Sequence, residues 1–274
     1  MNIHRKVAAT LALPIAGILL AATCPVSGEP GSTDANAIVR QMVAAYQSAS
    51  SIQEVSTVDF VVNGGTRISQ TYRLKYQRAN SFVIVSEDPR NGTLAAYSNG
   101  KTVHFYSAAL RTYSVRPIPA DLAGSISTME QLAKHVTGSG FDQNLNPISF
   151  LLAHGALREC RNFKSAGTGT VLGHKVDVVT GGADESWAQS IAPEERLKFA
   201  KGDLTLSIDA STRLLIRAQA HLTWKPLSPA RGKNRAVPDY TVTFTETHFN
   251  TTLNKSIPAS EFIFTPGKEV VFKP

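Results

Sequence analysis

The hydrophobic period changes several times along the chain, and each change marks an element. Between Asp34 and Ser51, Ile38, Val39, Met42, Val43 and Tyr46 recur at three-to-four spacing, while Arg40, Gln41, Gln47 and Ser48 fall elsewhere. That spacing gathers the apolar residues into one helical stripe. Asp34 or Asn36 can cap this helix, because their side-chain oxygens accept from free N–H groups of the first turn. The period then drops to two. Val58, Phe60 and Val62 alternate with Thr57, Asp59 and Val61, and Asn63-Gly64-Gly65 supplies residues that tolerate positive φ in a hairpin. Thr66 to Tyr76 returns, Ser81 to Ser86 follows, and Asn99-Gly100 joins Leu94–Ser98 to Thr102–Tyr106. Arg111 to Arg116 completes an antiparallel meander of about six strands.

Helical spacing reappears at Ala120–Val136 and Pro147–Leu157, and strands then resume. Gly173-His174 turns one hairpin (169–172 and 175–180). Asp209-Ala210-Ser211-Thr212 turns another (203–209 and 213–222). Residues 183–200 read as a polar, loosely helical insertion, and 225–239 as a basic, proline-containing loop. Tyr240–Phe249 alternates cleanly, and Phe262–Phe264 and Val270–Phe272 close the chain as short strands. The pattern shows no linker and no short repeat. It predicts one α+β domain, a long antiparallel sheet covered by helices.

The first thirty residues stand apart. His4, Arg5 and Lys6 precede an apolar run of about 16 residues, Val7 to Ala22. That is short of the roughly 20 needed to span a bilayer. A basic start, an apolar stretch and small residues before a polar exit describe a secretory signal peptide, taken as residues 1–28 with the domain at 29–274. Val26-Ser27-Gly28 and Leu20-Ala21-Ala22 both fit cleavage. Lipidation of Cys24 is a third option, although Ala21-Ala22-Thr23-Cys24 matches a bacterial lipobox poorly. The expected product is exported, soluble or lipid-tethered, and periplasmic.

Export changes the meaning of charge and cysteine. The 274-residue chain carries 28 Lys+Arg against 21 Asp+Glu, a formal net charge of +7. Removing the signal leaves about +5, scattered except in the 225–235 loop, with no aromatic interleaving suited to stacked bases. Nucleic acid is excluded as a partner, and peripheral contact with anionic lipid is the use left for the charge. With only two cysteines, a disulfide framework is excluded. Cys160, between Glu159 and Arg161, reads as structural.

No catalytic pattern emerges. There is no Gly-x-Ser-x-Gly elbow and no phosphate-cradling loop. Ser98 and Lys101 have the spacing of an acylating serine pair but span a β-turn, where Lys cannot fold back on Ser. Glu194-Glu195 and Asp184-Glu185 fit solvated helix positions. The histidines His104, His135, His154, His174, His221 and His248 lack metal-ligand spacing and read as surface or strand residues. The expectation is no enzyme, no metal and no cofactor.

Four segments carry a family likeness. Tyr76-Gln77-Arg78-Ala79-Asn80-Ser81-Phe82, then Ala96-Tyr97-Ser98-Asn99-Gly100-Lys101-Thr102-Val103-His104-Phe105-Tyr106, resemble the strand, turn and aromatic strand of the LolA-like superfamily of outer-membrane lipoprotein carriers. Leu206-Ser207-Ile208-Asp209 with Thr212-Arg213-Leu214-Leu215, and Phe249-Asn250 through Phe262-Ile263-Phe264-Thr265-Pro266, resemble its closing pattern. Ala79 and Asn99 stand where the family has Pro and Asp. The likeness runs over roughly residues 35–272 in matching order. It implies an unclosed β-barrel of about 10–11 strands, lidded by helices, around an apolar concavity that takes lipoprotein acyl chains or another lipid. Phe82, Ile84, Phe105, Leu206, Ile216 and Phe244 are the expected lining, as cavity wall or as filled core. Arg78 matches an arginine that bonds lid backbone and holds the empty cavity shut. The alternative on the same scaffold is a cell-envelope sensor or interaction module with a protein partner.

Overall fold

A computed structural model describes residues 34–89, 92–118, 152, 162–182, 197–227 and 238–273. Helix α1 covers Ala35–Ser48. Asp34 caps it, its carboxylate accepting from Asn36 N at 3.0 Å. Asn36, the other candidate cap, instead accepts from Phe163 N at 3.2 Å and ties the helix start to the strand that follows. The predicted stripe is the buried face: Ile38, Val39, Met42, Val43 and Tyr46 are all inside.

The helix ends sooner than its spacing suggests. Ala49 is already extended, and strand β1 (Ser51–Val62) begins six residues before the alternation becomes visible. Local bonds draw the chain out: Asn254 Oδ1 accepts from Ser50 N at 2.8 Å, and Ser51 Oγ donates to the Lys255 carbonyl at 2.6 Å. The alternation was masked because two inward positions of β1 are Glu54 and Ser56, both buried.

Eleven further strands follow: β2 (Thr66–Gln77), β3 (Ser81–Asp88), β4 (Gly92–Asn99), β5 (Thr102–Ser107), β6 (Thr112–Pro117), β7 (Lys164–Val171), β8 (His174–Gly182), β9 (Leu197–Asp209), β10 (Leu215–Pro226), β11 (Tyr240–Leu253) and β12 (Val271–Phe272). They form one sheet in the order β12-β6-β5-β4-β3-β2-β1-β11-β10-β9-β8-β7. Every pairing is antiparallel except that of β12 with β6. The edge strands β7 and β12 do not pair with each other, so the sheet is unclosed.

Two meanders are therefore joined at β1 and β11. The α1 helix bridges them on one face. Its first turn reaches Phe163, just ahead of β7, through Asn36, and the Tyr46 hydroxyl accepts from Leu215 N of β10 at 3.3 Å. Its C-cap Ala49 is bonded from the β2–β3 turn. One helix of about 21 Å touching both halves of a sheet about 50 Å wide means that the sheet curls toward it. One buried apolar cluster runs under it from Phe105 on β5 to Val179 on β8.

The expected cover of several helices is reduced to one α-helix among the described residues. Residues 120–136 and 147–157 lie outside them except Leu152, which is buried in the main cluster. Residues 197–200, expected in a helical insertion, open β9 and pair with β10. Phe262–Phe264 does not form a strand. A 3₁₀ turn covers Ala259–Phe262, and Phe264 packs on the outer face among Tyr97, His104, Tyr106 and Tyr113, at centroid distances of 5.3 to 5.7 Å. Pro258 and Pro266 flank the segment and cannot donate to a ladder, so its aromatics pack instead.

The β9–β10 turn falls where its residues predict. Asp209 accepts from Ser211 N, Ser211 Oγ and Thr212 N at 2.7 to 2.9 Å and faces His174 Nδ1 at 2.8 Å. Burial opposes its charge, but these donors win and hold its carboxyl well below the usual range. A folded pKa below the unfolded value of about 3.9 stabilises above that pH, and the contribution is lost as pH falls through the folded pKa. Asp209→Asn is expected to cost about 2 kcal/mol at neutral pH. Urea unfolding of both proteins should show the gap narrowing below about pH 4.

Candidate functional site

The inner face of the sheet carries most of the residues singled out in the sequence. Phe82 and Ile84 on β3, Phe105 on β5, Leu206 on β9 and Phe244 on β11 all belong to the one buried cluster beneath α1. Phe244 meets Phe60 of β1 with ring centroids 5.4 Å apart. Ile216 is buried but outside that cluster. The ladder with β9 shifts between Leu215 and Arg217, so Leu215 and then Ala218, Ala220, Leu222 and Trp224 face inward. A bulge shifts which residues of a strand face the core, and an unbroken alternation through Ile216 does not register it.

Arg78 sits in the β2–β3 turn. Its Nε donates to the carbonyl of Ala49, the C-cap of α1, at 2.8 Å, and its backbone N donates to Ser50 O at 3.1 Å. The side chain therefore reaches the backbone at the C-terminal end of α1. Ser98 is structural. Its hydroxyl donates to Asn80 O at 2.7 Å and accepts from Gly100 N, within the turn that separates it from Lys101. Cys24, Cys160, His135 and His154 lie outside the described residues.

Polar residues interrupt the apolar wall along one band. Ser56 of β1 is opposite His248 of β11 on one side and Tyr72 of β2 on the other, and Tyr72 is opposite Ser86 of β3. One step along, Glu246 is opposite Val58, which is opposite Gln70. Glu54 enters the same band beside a register shift between Gln53 and Val55. All are buried: Glu54 is 5%, Glu246 1% and His248 2% exposed.

Within the band, Glu54 Oε1 lies 2.9 Å from His248 Nδ1, and Glu246 Oε1 lies 3.8 Å from Nε2. The Thr251 hydroxyl donates to Glu54 Oε2 at 2.9 Å, and the Ser56 hydroxyl to Glu246 Oε1 at 3.3 Å. Burial works against charge on His248, but the two facing carboxylates overcome it and raise its pKa to about 9. Burial, with the same carboxylates, pushes the Tyr46 hydroxyl well above its ordinary value. Glu54 and Glu246 figured in no sequence reading, because they are separated by most of the chain. The local signal was on β11: Glu246 and His248 continue at period two the inward face of Val242 and Phe244. Charged residues extending an apolar face mark a buried polar site.

Comparison with known proteins follows this architecture. A family model described as "Predicted periplasmic protein (DUF2092)" matches residues 35–189, more than half of the chain, and the chain belongs to that family. Its description agrees with the periplasmic location expected from the sequence. No curated protein matches. Among solved structures the chain is similar to the Mycobacterium tuberculosis lipoprotein LppX, at 16% identity, covering 82% of this chain and 97% of that one with a TM-score of 0.43. It is also similar to LprF from Mycobacterium bovis (15% identity, 85% and 98% covered, TM-score 0.41). A LolA superfamily protein from Nitrosomonas europaea is a third such structure (10% identity, 85% and 99% covered, TM-score 0.33).

The buried band sets up a stability test. His248→Leu takes the cation from between two buried carboxylates and is expected to cost about 3–5 kcal/mol. Replacing Glu54 and Glu246 by Gln in the same protein removes the uncompensated charge and should recover most of that loss. Urea unfolding of the single and triple variants measures both effects.

Proposed function

We propose that this protein is a periplasmic, non-catalytic binding protein or carrier for lipoprotein acyl chains or a related apolar lipid. The observation that supports this reading is the inner face of the sheet. Apolar side chains from both meanders collect on one side of an unclosed, curled sheet, and α1 lies across them. Such a surface can take an acyl chain by burying CH₂ groups, each contributing about 0.8 kcal/mol. It does so if the helix moves or the interior repacks.

Arg78 is the residue on which that movement depends. Its bond to Ala49 fixes the C-terminal end of α1 over the sheet. Breaking that bond frees the helix end while the apolar stripe keeps it in place. Phe82, Ile84, Phe105, Leu206 and Phe244 are the wall that a ligand would meet.

Native mass spectrometry of the protein purified from its own periplasm is expected to show a bound lipid mass that organic extraction removes. A ligand-free mass would count against the carrier reading and favour the envelope interaction module. In lipid-free protein, Arg78→Leu is expected to raise the binding of an apolar fluorescent dye several-fold over the parent. Equal dye binding would remove Arg78 from the role of lock.

A further inference from the structure

We propose that Glu54, Glu246 and His248 form an interior binding site for a divalent transition cation, zinc being the one that suits the donor set. One carboxylate comes from β1, and the second carboxylate and the imidazole come from β11. One donor atom from each residue lies within 4.8 Å of the other two. Glu54 Oε1 lies 2.9 Å from Nδ1 and Glu246 Oε1 lies 3.8 Å from Nε2. An ion takes one of the two ring nitrogens, and the three donor atoms, all within 4.8 Å of one another, close by rotamer shifts to the roughly 3.3–3.6 Å of a four-coordinate ion with bonds of about 2.0–2.2 Å.

Orientation is the independent observation. Neither ring nitrogen of His248 has a hydrogen-bond partner, although the side chain is fully buried and Glu54 Oε1 is only 2.9 Å from Nδ1. At that distance a missing hydrogen bond means that the oxygen lies off the ring N–H axis. A buried imidazole whose ring nitrogens face carboxylates off their hydrogen-bond axes is held by charge and can turn one nitrogen to an ion shared with them. Buried polar atoms without hydrogen-bond partners call for an explanation, and a shared ion is one.

Charge and supporting contacts agree with a cation. A bound ion would displace the proton that His248 otherwise carries between the carboxylates. Two carboxylates and the imidazole so made neutral then balance a doubly charged ion, and a compensated charge is what a dry interior tolerates. The hydroxyls of Thr251 and Ser56 donate to the two carboxylates and fix their orientation, as outer contacts of metal ligands do. Three protein donors leave a fourth position for water or for an oxygen of a ligand. Glutamate with histidine is a zinc donor set and has none of the all-oxygen character that selects calcium or magnesium.

Untagged full-length protein, stripped with chelator and dialysed against zinc, is the material for the test. Elemental analysis is expected to give one equivalent of zinc. Titration calorimetry should show Glu54→Gln and Glu246→Gln each weakening zinc by more than about 100-fold. Thr251→Val should fall within the 10–100-fold range of an outer contact. His221→Ala, on the exposed face, should leave affinity unchanged. Should the glutamine variants fail to fold by circular dichroism, X-ray absorption of the zinc-loaded parent decides: a first shell of oxygen donors with one imidazole supports the site. Absence of stoichiometric zinc, unchanged affinity in folded Glu54→Gln and Glu246→Gln, or a shell without imidazole or with several would overturn it. The three residues would then be an ion triad only.

Discussion

The antiparallel pairing of β1 with β11 is the constraint on which the rest of this molecule depends. It joins segments about 190 residues apart, and without it there are two separate meanders with no common interior. Its register sets Phe60 opposite Phe244 and Ser56 opposite His248. A slip by one residue would turn every inward side chain of β11 outward and would bury Thr243 and Thr245 in place of Phe244 and Glu246. The apolar pair and the polar band are therefore fixed by the same ladder, and neither can be moved without the other.

That ladder also explains why the interior is mixed. A curled sheet of this width offers more inward positions than one helix can cover. Most hold apolar residues, whose burial contributes the main favourable free energy. The band through Glu54, Ser56, Gln70, Tyr72, Glu246 and His248 runs against that trend. Buried charges of this kind contribute little net stability in place of a packed apolar core. A stretch of interior built at such cost is the part of the molecule where function is to be sought. Its position beside the α1 end held by Arg78 puts polar chemistry and helix attachment in neighbouring strands.

Much of the secondary structure was legible, and the misses share a cause. The α1 stripe, its Asp34 cap, the Asn63-Gly64 and Asn99-Gly100 turns and the Asp209 turn are written in residues that act over a few positions. The start of β1 was hidden because Glu54 and Ser56 stand where apolar residues would have shown the alternation. Ile216 is buried but falls outside the main apolar cluster, beside a bulge that carries no composition of its own. Phe264 was read as strand because an aromatic between prolines looks alike whether it pairs or packs. In each case local pattern assumed that a face continues, and a long-range contact changed it.

The sequence by itself determined an exported chain with one N-terminal helix, two antiparallel meanders and the hairpins that build them. The forces that decide these elements, side-chain alternation, capping and turn sterics, operate between near neighbours. Tertiary structure alone decided that β11 lies beside β1, that the sheet curls under α1, and that Glu54 meets Glu246 and His248. Those outcomes depend on matching whole faces across the chain. A residue's partner in such a match is set by register, which no short stretch of sequence contains.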